Sequence, residues 1–426
     1  MHKIERLLQT LAPKGVEFKT LEEVFEIKNG YTPSKNNPEF WEKGTIPWFR
    51  MEDIRENGRI LKDSIQHITP KALKGKKLFP KNSIIISTTA TIGEHALLIV
   101  DSLANQQFTF LSKKANCDIA LDMKFFFYQC FLLGEWCKKN TNVSGFASVD
   151  MTAFKKYKFP IPPLEIQQEI VKILDAFTEL NTELNTELKA RKKQYQYYQN
   201  MLLDFNDINQ NHKDAKEKLA QKTYPKRLQT LLQTLAPKGV EFRKLGEVIN
   251  ILKGKQLNKE LLLDYGEYPV MNGGIHASGY WNEYNTDYPK IIISQGGASA
   301  GYVNYMTSKF WAGAHCYAIE LNSEKLNYKF LYYFLKNSQT ILMKSQFGAG
   351  IPALNKADIE TLTIPIPPLE IQQEIVKILD QFSALTTDLL AGIPAEIEAR
   401  KKQYEYYREK LLAFKPLTPH KEVKKC

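Results

Sequence analysis

The sequence predicts an α+β fold. Two mixed α/β heads are joined by two long antiparallel coiled-coil helices, and the whole is an internal duplication with pseudo-two-fold symmetry. Three observations predict it. The stretch IPPLEIQQEIVKILD occurs twice without a change, at Ile161–Asp175 and Ile366–Asp380, which marks a repeat architecture. Each copy runs from a Pro-Pro step into apolar residues at alternating four- and three-residue intervals, the pattern of a coiled-coil helix. Before each copy lies a stretch rich in aromatics, Gly, Pro and short β-branched runs, the composition of a mixed domain.

Taken in order, residues 1–160 form the first head and 161–205 the first spacer helix. Residues 206–226 form a polar linker, 227–365 the second head, 366–415 the second spacer helix and 416–426 a tail. LLQTLAPKGVEF enters each head, at Leu7–Phe18 and Leu231–Phe242, and ARKKQY recurs from Ala190 and Ala399. Inside the heads, NSIIIS (Asn82–Ser87) and PKIIIS (Pro289–Ser294) read as matching short apolar strands. Both heads close on Gly-rich turns near Gly145 and Gly348. Only the second LLQTLAPKGVEF follows a long helix in sequence. The first gains an equivalent neighbour if the C-terminal helix, ending near Phe414, returns to the N-terminus.

In the first helix the seam is Ile166, Ile170, Ile173, Phe177, Leu180 and Leu184; in the second it is Ile371, Ile375, Ile378, Phe382, Leu385 and Leu389. It resumes at Tyr195, Tyr198, Leu202 and Phe205, and at Tyr404, Tyr407, Leu411 and Phe414. A helix from Ile166 to Phe205 would be roughly 60 Å long at about 1.5 Å per residue. TELN-TELN-TEL at Thr178–Leu188 puts Leu180, Leu184 and Leu188 four apart, a stutter in the heptads. In the second helix Gly392 and Pro394 should bend or interrupt the same region. An intermolecular coiled coil is the competing reading, although the second helix already supplies a partner. The tyrosine-rich ends either pack on a neighbouring element or dock another protein. Tyr195, Tyr198, Leu202, Tyr404, Tyr407 and Leu411 are the docking candidates, and Leu180, Leu184 and Leu188 the spacer positions.

A formal net charge of +11 over 426 residues favours a polyanionic partner, nucleic acid before membrane. No apolar run approaches the roughly 20 residues of a bilayer span, and the N-terminus lacks the apolar core of a signal peptide. A cytoplasmic protein is expected. The five cysteines form no Cys-x-x-Cys pair and read as reduced thiols. The seven histidines show no metal spacing, so no metal ligand and no catalytic residue is assigned. There is no Gly-x-x-x-x-Gly-Lys-Ser/Thr loop for ATP and no Asn/Asp-Pro-Pro-Tyr/Phe string of an amino-methyltransferase.

Groups suited to DNA are present in both heads. In the first, Lys28, Tyr31, Lys35, Arg50, Lys74, Lys76 and Lys77 mix cations with aromatics. In the second, Lys253, Lys255, Gln256, Asn272, His276 and Gln295 lie beside Gly273 and Gly296. Lys and Arg neutralise phosphates, while Asn, Gln and Arg can read base edges.

With these blocks in hand, the chain closely resembles the DNA-specificity subunits of type I restriction-modification complexes, over nearly its whole length. The resemblance is carried by the two PIPPLEIQQEIVKILD segments and by GVEF-x-x-L leading into each head. YPVMNGGIHASGYWNEY (Tyr268–Tyr284) and IIISQGGASAGYVNY (Ile291–Tyr305) carry it within the second head. It implies target-recognition domains that each read one half of a bipartite, asymmetric double-stranded DNA site. The helices would set the spacer and dock two modification subunits, with TELN in the place of the family's spacer repeat. It implies no cofactor on this chain, with S-adenosylmethionine, ATP and Mg on partner modification and restriction motor-nuclease subunits. A fused methyltransferase-nuclease partner, a stand-alone methyltransferase or nuclease, and a coiled-coil scaffold without nucleic acid are the alternatives.

Overall fold

The computed structural model describes residues 2–75, 77–142, 147–208, 224–348, 352–387 and 392–417. The chain divides into two compact units, each discontinuous in sequence: Met1–Glu183 with Glu398–Cys426, and Leu184–Ile397. The first strut is one 40-residue helix, Leu164–Leu203, which begins in the first unit and ends in the second. The second strut is two helices, Leu369–Thr387 and Ile393–Leu412. The interruption expected at Gly392 and Pro394 is therefore present. Pro394 stands in the first turn of the later helix, where its missing N–H leaves no bond unmade.

Each head is framed in the same way. A short entry strand pairs antiparallel with the strand that leads out of the head: Glu17–Thr20 with Lys158–Ile161, and Glu241–Lys244 with Thr363–Ile366. Inside the first head the sheet order is Phe25–Asn29, Phe108–Lys113, Ile84–Ser87, His95–Leu98, Ile60–Leu61. The second head repeats four of these as Ile249–Lys253, Cys316–Leu321, Lys290–Ser294, Val303–Met306.

The apolar triplets sit at the centre of these sheets and are buried on both faces, as continuous apolar runs require. Ile84 and Ile86 face one core with the helix Met123–Lys139, while Ile85 faces a second with Phe49, Phe108 and Phe110. In the second head Ile291 and Ile293 share one core, and Ile292 faces another with Met271 and Phe310. A three-stranded sheet flanks each: His67–Ile68, Ile46–Phe49, Leu103–Ala104 in the first, and Tyr280–Trp281, Tyr268–Met271, Trp311–Ala312 in the second.

The duplicated segment binds its own head. Gln167 is fully buried. Its Oε1 accepts from Asp122 N at 2.8 Å, and its Nε2 donates to Ala120 O at 2.9 Å and Pro162 O at 2.7 Å. Gln372 does the same with Asn327 N at 2.7 Å, Lys325 O at 2.8 Å and Pro367 O at 2.6 Å. Asp175 accepts from Lys124 Nζ and Tyr128 Oη, each at 2.6 Å. Asp380 accepts from Lys329 Nζ at 2.7 Å and from the Tyr333 hydroxyl. Burial and the adjoining carboxylate push both tyrosine hydroxyls above their ordinary pKa. Ile166, Ile170 and Leu174 sink into the first head's core; Ile371, Ile375 and Leu379 sink into the second's. The apolar spacing therefore serves two faces. Leu174 and Leu379, outside the heptad seam, are fully buried, whereas Ile173 and Ile378 are half-buried.

Within each unit the strut segments run antiparallel. In the first, Phe177 stacks on Tyr407 at 5.5 Å, while Leu411 and Leu412 share the core of Ile166 and Ile170. In the second, Phe382 stacks on Tyr198 at 5.0 Å, and Leu202 shares a core with Ile371. The expected return of the C-terminal helix is present too. Val16 N donates to Lys415 O at 2.9 Å and Leu417 N to Val16 O at 3.0 Å. In the second unit Val240 N donates to Ile208 O at 2.8 Å. The ends of the polar linker are thus structured, with Ile208 and Tyr224 in the core, while 209–223 lie outside the described residues. So do Gly145, Ala349, Gly350 and Leu389.

Candidate nucleic-acid interface

At one end of each main sheet, four connections meet, and backbone hydrogen bonds align them residue by residue. Gly30 N donates to Phe108 O, as Gly254 N does to Cys316 O. Tyr31 N donates to Ala104 O, as Lys255 N does to Ala312 O. Asn105 N donates to Phe49 O, as Gly313 N does to Met271 O. A Cβ on Gly30 would strike the Asn105 carbonyl, and one on Gly254 the Gly313 carbonyl, so both approaches need glycine. These bonds make Thr32 equivalent to Gln256, Arg50 to Asn272, Asn105 to Gly313, Gln106 to Ala314 and Gln107 to His315.

In the first head the connections enclose a polar cleft of about 410 Å³ whose lining includes Thr32, Lys35, Arg50, Thr89 and Gln106. Lys35 and Arg50 are thus brought together. Arg50 Nε lies 3.8 Å from Glu52, and its guanidinium 5.8 Å from the Trp48 ring. Tyr31 serves the framework: its carbonyl accepts from Trp48 Nε1 at 2.9 Å, and its side chain packs on the Trp48 core. Lys28 stands on the edge strand, paired with Glu26 at 2.9 Å. Lys74 follows a 3₁₀ turn, 5.4 Å from the Phe40 ring. Neither lines the cleft. Lys77 is exposed, and Lys76 lies outside the described residues.

In the second head Lys253 and Lys255 line a smaller hollow of about 320 Å³ with Asn285 and Asp287. Trp311 Nε1 donates to Lys255 O at 3.1 Å, fixing the carbonyl that corresponds to that of Tyr31. Asn272 supports the backbone, its Oδ1 accepting from His315 N at 3.1 Å. In the first head Asn105 does this from within the turn, its Oδ1 accepting from Gln107 N at 3.1 Å. Gly313 leaves the room that the Asn272 side chain occupies. The Gly273 carbonyl accepts from the Ser294 hydroxyl. Gln295 is pinned through its backbone to His315 O and Leu354 N, each at 2.8 Å, and Gln256 and His276 are exposed.

Sequence reasoning missed Thr32, Asn105, Gln106, Gln107 and His315. The available signal was Asn-Gln-Gln wedged between two apolar strands, opposite Gly-Ala-His in the other repeat.

Two of the docking candidates, Leu202 and Leu411, are corrected. Leu202 and Leu411 are buried in the chain's own cores, and Tyr195, Tyr198, Tyr404 and Tyr407 pack against it. Leu202 and Leu411 are thus closed to a partner, while the four tyrosines keep part of their surface open. The exposed aromatics of these segments are Tyr197 and Tyr406, at equivalent places and 61% and 58% exposed. Leu180, Leu184 and Leu188 are half-buried in the middle of the first strut.

Among the described residues there is no group of three or more His, Cys, Asp or Glu that could hold a metal ion, and no helix long and apolar enough to cross a membrane. Cys117, Cys130, Cys137 and Cys316 are free thiols, and burial raises the pKa of the last three.

The model of the type I restriction modification DNA specificity domain matches residues 13–194 and again 237–399. The chain belongs to this family. It is 40% identical over 406 residues to the specificity subunit of the type I restriction enzyme EcoprrI of Escherichia coli, covering 91% of this chain and 93% of that protein. It is 25% identical to the MjaIX specificity subunit of Methanocaldococcus jannaschii, with 85% of each covered. The crystal structure of the type I restriction-modification S subunit from M. genitalium has the same fold, at a TM-score of 0.57 and 19% identity, with 93% of this chain and 96% of that one covered. The specificity-domain family thus accounts for both heads, since each match takes in one head and part of the strut that follows it.

Proposed function

We propose that this chain is the DNA-reading, non-catalytic subunit of a type I restriction-modification complex, each head reading one half of a bipartite asymmetric duplex. The observation that carries the reading is the pairing of equal frameworks with unequal contents. The loops at the sheet ends share their backbone bonds residue for residue, yet carry different side chains at the points of approach. A scaffold without nucleic acid has no use for such a pair. A non-specific binder would keep the cations and need no difference in the loops.

The struts fix the gap between half-sites and dock two modification subunits, to which methyl transfer from S-adenosylmethionine belongs. ATP and Mg belong to motor-nuclease subunits that join them, and a fused methyltransferase-nuclease fills the same role. Leu164 and Leu369, each 38% exposed, with Tyr197 and Tyr406, are the equivalent exposed groups that one partner would meet twice.

Exchange of residues 19–160 for the head of another family member tests the reading. The donor must keep a carboxamide or carboxylate at Asp122, Lys at 124 and Tyr at 128, so that the helix clamp survives. Selection of bound duplexes from a random pool is expected to show one half-site changed, with the other half and the spacer kept. Change in both half-sites would end the idea of independent heads.

A further inference from the structure

The first head holds three adjacent amide side chains at the mouth of its cleft, and two of them are occupied. Asn105 Oδ1 accepts from Gln107 N, and Gln107 Nε2 donates to Thr91 Oγ1 at 2.7 Å and to Thr89 O at 3.3 Å. These bonds tie two loops together and leave Gln106 as the exposed member. Gln106 is oriented as well: the Thr32 hydroxyl donates to its Oε1 from the facing loop. A carboxamide oxygen accepts two bonds, so Oε1 keeps one free acceptor direction and the Nε2 donors point away from Thr32. Lys35 and Arg50 stand on the same cleft, where cations suit the phosphates that flank a read base.

We infer that Gln106 is the base-reading group of the first head and that its target is an adenine in the major groove. Oε1 accepts from the adenine N6 amino group while Nε2 donates to N7, the bidentate pair that distinguishes adenine from the other bases. Thr32 is a positioning residue that holds the amide plane so that less side-chain freedom is lost on binding.

The second head delivers the same group from the opposite loop. Ala314 stands at the position of Gln106, and exposed Gln256 stands at that of Thr32. The long and short members of the facing pair are interchanged. Each head therefore presents one carboxamide across the same backbone contact, delivered from opposite loops of the shared frame.

This inference rests on the proposed reading of the chain as a DNA-recognition subunit, and one experiment separates the two. The full chain, taken with the subunits that co-purify with it, is offered a pool of randomised duplexes, and the bound sequences are read. For the unmodified chain a two-part site is expected. Gln106→Ala should lower the preference for adenine at one position of one half by roughly tenfold, the scale of a lost bidentate contact. Gln106→Glu, which keeps the length and loses the donor, should turn that position toward cytosine, whose N4 amino group a carboxylate accepts from. Gln256→Ala should alter the other half alone. A two-part site unchanged by both Gln106 variants overturns the inference and leaves the reading of the chain standing. If the unmodified chain selects no sequence, both fall. Thermal melting of each variant separates a lost contact from a lost fold, and Gln106 is exposed, so unaltered melting is expected.

Discussion

Gln167 and Gln372 show why one fifteen-residue stretch is repeated without a change. Each is a fully buried carboxamide that satisfies three backbone groups where the chain leaves the head and enters the strut. Removing one strands those groups away from water, at about 1–3 kcal/mol for each variant. Gln167→Ala is expected to lower the stability of the first unit and Gln372→Ala that of the second, read by hydrogen exchange in the helices Met123–Lys139 and Tyr328–Asn337. Loss confined to the strut ends alone would contradict the clamp. The identity thus answers first to the chain's own heads.

Lys336 gives a second test at this scale. Its Nζ donates to Val303 O and Gln339 Oε1, each at 2.8 Å, and burial pushes its pKa down from 10.5 to about 8. The native state releases this proton before the unfolded state does. Between about pH 8 and 10.5 the unfolded chain binds more protons, and the stability of the second unit rises with pH. Below that window both states hold the proton and the contribution is flat. Lys336→Met should abolish the rise, measured as the difference between the two chains in denaturant midpoint from pH 7 to pH 10. The matching place in the first head carries Phe131, covered by Arg408 at 4.4 Å.

Among the elements, the struts carry the measurable geometry. The TELN repeat lies in a continuous helix and leaves its leucines half-buried, so it adds length without committing a core residue to either head. Four residues amount to about 6 Å and about 40° of rotation. Deleting Thr182–Asn185 is expected to shorten the selected spacer while both half-sites stay as they are. An unchanged spacer would remove the helix from its role as a ruler. The second strut breaks before Ile393, where Gly392 and Pro394 punctuate the chain, so regular length there was never fixed by sequence period.

For the whole molecule, the compact units are not the linear segments that a reading of the repeat suggests. Each takes a head, the start of one strut and the end of the other. The bonds of Val16 to Lys415 and Leu417 show why: the frame of the first head takes in the segment that follows the last helix of the chain. A head exchange therefore has to respect contacts with residues about 250 or more positions away, such as Gln129 Nε2 to Leu412 O at 3.2 Å.

The sequence by itself determined the duplication, the short apolar strand in each head, the long first helix, the break in the second, and the return of the C-terminus to the N-terminus. All of these follow from periodicity and from identity between copies, which are local or countable. Only the tertiary structure decided that Leu202 and Leu411 are core, that Asn272 props a turn, and that Gln106 faces Thr32. Those outcomes depend on four connections converging at one sheet end. Where a side chain points across such a meeting is set by the neighbouring backbone, which leaves no spacing to count. Lys28 and Lys35 look alike in sequence, yet one pairs with Glu26 on an edge strand and the other lines the cleft.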